Sequence, residues 1–271
     1  MTPLVDCHSH LAPYDDDAVA AMLTRAAAAG VGWVVCAGVD LPSSERAVAL
    51  AERCPGLLAA VGLHPTHLRG DEGVAELRAL AALAQAPRVV ALSEVGLDGV
   101  EARAPLATQR HIFAELLRLA ADADLPVIYH DRAAGDDALA LLVAEGLAER
   151  AVRHYFVGGP AEAAPALAAG VCLSLGKPLA KADAAYDPLR EVARCAPLDR
   201  LLLETDTYPL PGRTTEPADA RQVAGALAAL RGLAVADVAA ATTATFARLA
   251  GARWTALQSW RRRYRAMRLR S

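Results

Sequence analysis

The stretch Val5-Asp6-Cys7-His8-Ser9-His10 begins apolar and ends in two histidines one residue apart, within ten residues of the start. In a β-strand, residues i and i+2 point to the same side. A strand starting at Leu4, with His10 at its mouth, therefore aims both imidazoles at one point. Neutral imidazole is the commonest protein metal ligand, so this stretch is half of a candidate metal pocket. Two histidines alone also occur as surface or hydrogen-bonded side chains, and later segments must supply partners.

Working outward, short β-rich apolar runs alternate with longer Ala/Leu-rich amphipathic runs, the pattern of a parallel sheet with crossover helices. Strands are expected at Leu4–Cys7, Trp33–Ala37, Leu57–Gly62, Val89–Ser93, Val127–His130, Val152–Phe156, Val171–Ser174 and Leu201–Thr205. Helices are expected at Asp16–Ala29, Ser43–Arg53, Asp71–Gln85, Pro105–Asp122, Ala134–Leu147, Ala161–Ala169, Tyr186–Cys195, Pro217–Leu230 and Val235–Leu249. Each strand is followed by a helix, and no Pro/Gly/Ser-rich linker divides the chain. A single (β/α)8 TIM-type barrel over residues 1–252 is favoured over an open doubly wound sheet. Active sites of such barrels sit at the C-terminal strand ends. His8, His10, His64, Glu94, His130 and Asp206 fall where apolar runs stop, and His154 lies within the sixth run.

Composition narrows the class. At 271 residues and 54% hydrophobic content the chain can build a large core. No apolar run of about 20 residues and no signal-peptide pattern is present, so a cytoplasmic protein without a membrane span is expected. Cys7, Cys36, Cys54, Cys172 and Cys195 are scattered singly, which argues against disulfides or a zinc knot. Cys7 is expected to face away from His8 and to pack. Net charge is −3, yet Arg253 to Ser271 holds seven arginines and no acid, leaving −10 for the rest.

Six stretches in register make the sequence similar to the TatD family of metal-dependent deoxyribonucleases, a branch of the amidohydrolase-like barrels. They are Val5 to Leu11, Val61-Gly62-Leu63-His64-Pro65, Ser93-Glu94-Val95-Gly96-Leu97-Asp98, Leu125 to Arg132, His154-Tyr155-Phe156-Val157-Gly158 and Leu202-Leu203-Glu204-Thr205-Asp206. The resemblance implies two divalent ions, Mg²⁺, Mn²⁺ or Zn²⁺. His8, His10, Glu94 and Asp206 would hold one; Glu94, His130 and His154 would hold the other. Some related enzymes bridge their metals with a carboxylated lysine, but Lys177 and Lys181 lie far from strand four in sequence, so Glu94 must bridge. Phosphodiester hydrolysis is the implied reaction, with water activated by the metals and Asp206 as general base.

The substrate side rests on His64, Arg132, Arg213 and Glu204; the first three fall in or near βα loops where they could hold phosphate, and a solvated or salt-bridged loop position is the equal alternative for each arginine. Glu204 shares a strand face with Asp206, where it would orient the nucleophile or, more conservatively, a ligand. Asp98 is positioned to hydrogen-bond a ligand imidazole, His67 stands at the mouth or on plain surface, and His111 falls inside a helix. The family's usual serine after strand six is Val157 here. Its Asn-x-Pro after strand eight reads Thr215-Glu216-Pro217, and its late asparagine is Thr245. Metal binding is thus better supported than substrate identity.

Residues 253–271 are expected to form a basic helical extension. Trp254, Leu257, Trp260, Tyr264 and Met267 recur at helical spacing, which favours docking of one apolar face on the barrel or on a protein partner. A single-stranded nucleic-acid arm and a basic membrane-surface segment are the alternatives. The expected activity is a DNase of exonuclease type, with single-stranded DNA the favoured substrate. Hydrolysis of another ester or amide, such as an aminoacyl ester on tRNA, and a role as the barrel subunit of a larger assembly remain open.

Overall fold

Eight apolar runs, each too short to bury itself, assemble into one parallel sheet ordered β1 to β8. The strands are β1 Leu4–Ser9, β2 Val31–Ala37, β3 Leu57–Val61, β4 Val89–Asp98, β5 Val127–Arg132, β6 Ala151–Arg153, β7 Cys172–Leu175 and β8 Leu201–Leu203. Helices α1 Asp16–Ala28, α2 Leu41–Arg53, α3 Val74–Leu83, α4 Leu106–Asp122, α5 Gly135–Ala144, α6 Pro160–Ala168, α7 Asp187–Cys195 and α8 Ala220–Arg231 follow the strands in turn. The result is a TIM-type (β/α)8 barrel. The computed structural model describes residues 2–69, 74–212 and 214–268, with the side chains of Val74 and of residues 260–268 outside that description. The helix start expected at Asp71 also lies outside the described residues.

Most strands end at residues other than those expected, and two of these ends, with one irregularity inside β1, bear on the site. β4 runs five residues past Ser93, through Glu94 to Asp98, because its partner β5 continues to Arg132 and the pairing holds from Val95↔Tyr129 to Asp98↔Arg132. Gly96, at φ +140°, permits this close approach, since a Cβ there would sit 2.0 Å from the His130 carbonyl oxygen. β6 ends at Arg153, so His154 lies just beyond the strand rather than within it. β1 carries a register irregularity between Asp6 and Ser9. Cys7 and His8 consequently both reach the barrel interior: Cys7 packs, as expected, but on the same side as His8.

Two layers of core result. One lies between sheet and helices; the other fills the barrel, with Val5, Trp33, Val35, Leu58, Ile128 and Leu202 among its members. Between β8 and β1 closure depends on Asp6, which is fully buried. Its carboxylate accepts from the Thr205 amide at 2.9 Å, the Thr205 hydroxyl at 2.7 Å and the Ser9 hydroxyl at 3.0 Å. Backbone bonds from Asp206 to the His8 carbonyl and from His10 to the Thr207 carbonyl extend the seam.

The opposite, N-terminal end of the barrel is plugged by α9, Val235–Arg268, which is broken at Gly251 (φ 54°, ψ −128°). Phe246, Leu249 and Leu257 join the interior cluster. Trp254 packs on Trp33 and Phe246, each ring centroid 5.4 Å away. Arg253 donates to the carbonyls of Ala86, Val89 and Ala123, at 3.0, 3.1 and 3.3 Å. The first part of the extension thus docks on the barrel. Trp260, Tyr264, Met267 and the arginines from 261 onward have side chains outside the described residues. Among the described residues no single helix is long and apolar enough to cross a membrane.

Because Trp254 packs on Trp33 of the barrel floor and Phe246 of the plug, Trp254→Ala is expected to cost about 2–4 kcal/mol of unfolding free energy while leaving activity near wild type, as urea denaturation and turnover measured together would show. A truncation meant to isolate the basic residues must therefore begin beyond residue 259, not at Arg253.

Candidate metal centre

At the C-terminal mouth, five imidazoles converge on Glu94, itself only 4% exposed. Glu94 Oε2 lies 3.4 Å from His8 Nε2 and 3.2 Å from His10 Nε2. Glu94 Oε1 lies 3.1 Å from His64 Nε2, 3.1 Å from His130 Nδ1 and 2.9 Å from His154 Nε2. Asp206 Oδ1 stands 3.4 Å from His10 Nε2. One carboxylate therefore has a separate set of nitrogens at each oxygen. Its elements explain the convergence: β1 supplies His8 and leads to His10, β4 supplies Glu94, β5 supplies His130, and the residues just after β6 and β8 supply His154 and Asp206. Asp206 adopts φ +48°, a left-handed conformation that aspartate tolerates better than most residues.

Partners on the far side of each ring decide which nitrogen is free. His10 Nδ1 faces the Ala37 carbonyl at 3.2 Å, an acceptor only, so it carries a proton and leaves Nε2 for the centre. His8 Nδ1 meets the Ser93 hydroxyl at 3.2 Å. His130 Nε2 meets the Asp98 carboxylate at 2.9 Å, as expected for Asp98, which leaves Nδ1 for the centre. His154 Nδ1 faces Glu204 Oε1 at 3.4 Å, and neither atom has another hydrogen-bond partner among the described residues. Such outer partners fix the tautomer and orientation of ligating histidines. His64 is built the other way. Its Nδ1 accepts from the Thr66 amide at 3.2 Å, so its Nε2 bears the hydrogen and points a donor at Glu94. The geometry groups His64 with Glu94 and His130, yet the tautomer set by Thr66 suits a hydrogen-bond donor rather than a ligand.

The donor set fits a cation. His8 and His10 bring their Nε2 atoms to 3.1 Å of one another, and nitrogens with lone pairs converging on a carboxylate call for positive charge between them. Groups His8–His10–Glu94, His8–His154–Asp206 and His64–Glu94–His130 each have atoms close enough to share an ion. Without an ion, protons take its place. Burial disfavours the cation at His10, but Asp206 and Glu94 outweigh it and lift its pKa to about 10. Burial would raise Glu94, but His154, His64, His10 and His130 hold it well below the usual carboxylate range. Burial, with the neighbouring His154, lowers His8.

An open cavity of about 450 Å³ lies over these residues. His64, His67, His130 and Asp206 line one side; Ala12, Pro13, Val39, Tyr208 and Pro209 form an apolar wall. Among the described residues no arginine or lysine lines it. Arg132 turns away to Glu101, Arg213 lies outside the described residues, and Glu204 is fully buried behind His154, out of reach of a substrate. His111 is exposed on α4, far from the cluster's lining. Tyr208 and Pro209 were not singled out from the sequence, because nothing in an isolated Tyr-Pro marks a cavity wall.

A parallel eight-stranded barrel with histidine and carboxylate groups at its mouth defines the class of metal-centred barrel enzymes. The model of the family described as TatD related DNase matches residues 5–251, and the chain belongs to that family. It is similar to an uncharacterized metal-dependent hydrolase, YabD, of Bacillus subtilis: 32% identical over 256 residues, 91% of this chain and 98% of that protein. It is 38% identical over 242 residues to a protein of Cronobacter sakazakii named 3'-5' ssDNA/RNA exonuclease TatD, covering 84% of this chain and 90% of the relative. The crystal structure of the TatD homologue YjjV from Escherichia coli superimposes with a TM-score of 0.82 at 30% identity, covering 91% of this chain and 97% of that one.

Two outcomes are expected. With His10 protonated up to about pH 10 in the metal-free protein, metal must displace a proton, so apparent affinity rises with pH and proton release appears as buffer-dependent heat in calorimetry. Glu204→Gln, keeping an acceptor but losing the charge, should weaken metal binding about 10- to 100-fold with little change in melting of the metal-free protein.

Proposed function

We propose that this chain is a metal-dependent hydrolase that cleaves phosphodiester bonds of single-stranded DNA, working inward from a free end. The observation that carries the reading is Glu94, whose two oxygens each face a separate set of imidazoles, an arrangement suited to two ions sharing one carboxylate. His8, His10, Glu94 and Asp206 would hold the first, and Glu94, His130 and His154 the second. A donor set this rich in imidazole suits Zn²⁺ better than Mn²⁺ or Mg²⁺. When bound, such ions lower the pKa of water and offset charge on a phosphoryl oxygen.

The chain's own residues supply the rest. Asp206, kept anionic against burial by His10, His154 and His8, accepts the proton of the attacking water. His64 turns its Nε2–H from Glu94 to a phosphate oxygen, a charge-assisted bond. The wall of Pro13, Tyr208 and Pro209 packs against an unstacked base, which favours single strands over duplex. Exonuclease names among relatives support the polarity 3' to 5'. The rival reading, hydrolysis of an ester or amide such as an aminoacyl ester on tRNA, draws support from the cleft's lack of lysine and arginine among the described residues.

The test strips the protein and its Asp206→Asn variant of metal and reloads each with Mg²⁺, Mn²⁺ or Zn²⁺, on single-stranded DNA labelled at either end. Metal-dependent shortening from the 3' end, slower by about 10²–10⁴-fold in the variant, is expected. Wild type that binds metal yet cleaves DNA with none of the three would overturn the nuclease reading and direct the assay to aminoacyl-tRNA.

A further inference from the structure

A second cavity, of about 530 Å³, lies between α5 and α6 and shares no lining residue with the metal cavity. At its floor Tyr129 and Arg153 stand side by side on β5 and β6. They precede His130 and His154, whose side chains project to the other face of the sheet. Tyr129 is 1% exposed, and its ring packs beside Phe113, with centroids 6.5 Å apart. Its hydroxyl makes no hydrogen bond with any described residue. A buried phenol normally has such a partner, and here the cavity is the place from which one can come.

Charge and shape define the occupant. The Arg153 guanidinium is spoken for by Asp131, whose carboxylate is 1% exposed and 2.9 Å away, and Asp137 pairs with Arg110 at 3.5 Å. Asp136 remains in the first turn of α5, while Glu162 in that of α6 accepts from its own Gly159 amide at 3.4 Å, lies 4.0 Å from Arg153 and is 61% exposed. An anion would face these two carboxylates, so a cation is favoured. A bare metal ion is not, because among the described residues every metal-sized group of His, Cys, Asp and Glu lies at the barrel mouth. The remaining walls, Leu106, Leu139 and Pro165, are apolar and suit methylene groups. We propose that this cavity binds an aliphatic amine cation, its ammonium donating to Asp136, Glu162 and the Tyr129 hydroxyl and its chain lying along Leu139 and Pro165.

Spermidine is the probe, titrated calorimetrically into the metal-loaded full chain without nucleic acid. Saturable binding of one spermidine per chain below about 1 mM is expected. It should weaken about tenfold in Tyr129→Phe, which keeps the ring packing, and in Asp136→Asn. Ala161→Leu, at an exposed position on the cavity rim, should abolish it without altering the melting temperature. The proposal is overturned by no saturable binding up to about 10 mM, by binding that the three variants leave unchanged, or by equal competition from Mg²⁺, which would mark diffuse charge attraction.

Discussion

A carboxylate removed from water must be matched by positive charge or give up its own. Glu94 is in that position, and the whole mouth of the barrel is arranged to match it. Four segments in addition to its own strand end within hydrogen-bonding distance of its two oxygens. Those segments converge only because the sheet curls far enough to set β1 beside β8, and that closure depends in turn on the buried Asp6 and its bonds to Thr205. Protons on the imidazoles satisfy Glu94 when no ion is bound. A metal satisfies it better, since one ion can hold several nitrogens and an oxygen at once.

The order of the elements was legible because apolar runs of strand length and amphipathic runs of helix length alternate without interruption. Their ends were less so, for a physical reason. An apolar pattern stops where polar residues begin, and in this barrel those residues are the site, so β4 was cut at Ser93 although its hydrogen bonding continues to Asp98. The side on which Cys7 lies depends on a register irregularity that period-two counting does not contain. Convergence of His8, His10, Glu94, His130, His154 and Asp206 was foreseeable from the strand ends and the family resemblance. The different character of His64 was not, because it is fixed by one backbone amide, that of Thr66. For Arg132 the sequence leaves phosphate contact and a loop salt bridge equally open, and the pairing with Glu101 is the second of these.

The two ends of the barrel carry separate burdens. The mouth holds charge, partly open to water. The floor is dry: Trp33, Phe246, Trp254 and Leu257 fill it, and Arg253 ties three carbonyls left by the ends of the helices and by β4. Substitutions at the floor therefore act on stability and those at the mouth on chemistry, a division that barrel folds permit because the intervening layers are rigidly packed.

The seam at Asp6 joins residues 199 positions apart, and Thr243 reaches back 240 positions to the Pro3 carbonyl. During synthesis, which proceeds from the N-terminus at about 5–20 residues per second, His8 and His10 are made well before Asp206, the last of the candidate ligands in chain order. For tens of seconds the ribosome-bound chain carries an exposed pair of imidazoles next to a free thiol, with no barrel to close over them. The protein thus acquires its full set of ligands only once the residues after β8 have been made, and a chain stopped before β8 is left with a soft, unselective metal trap in place of a centre.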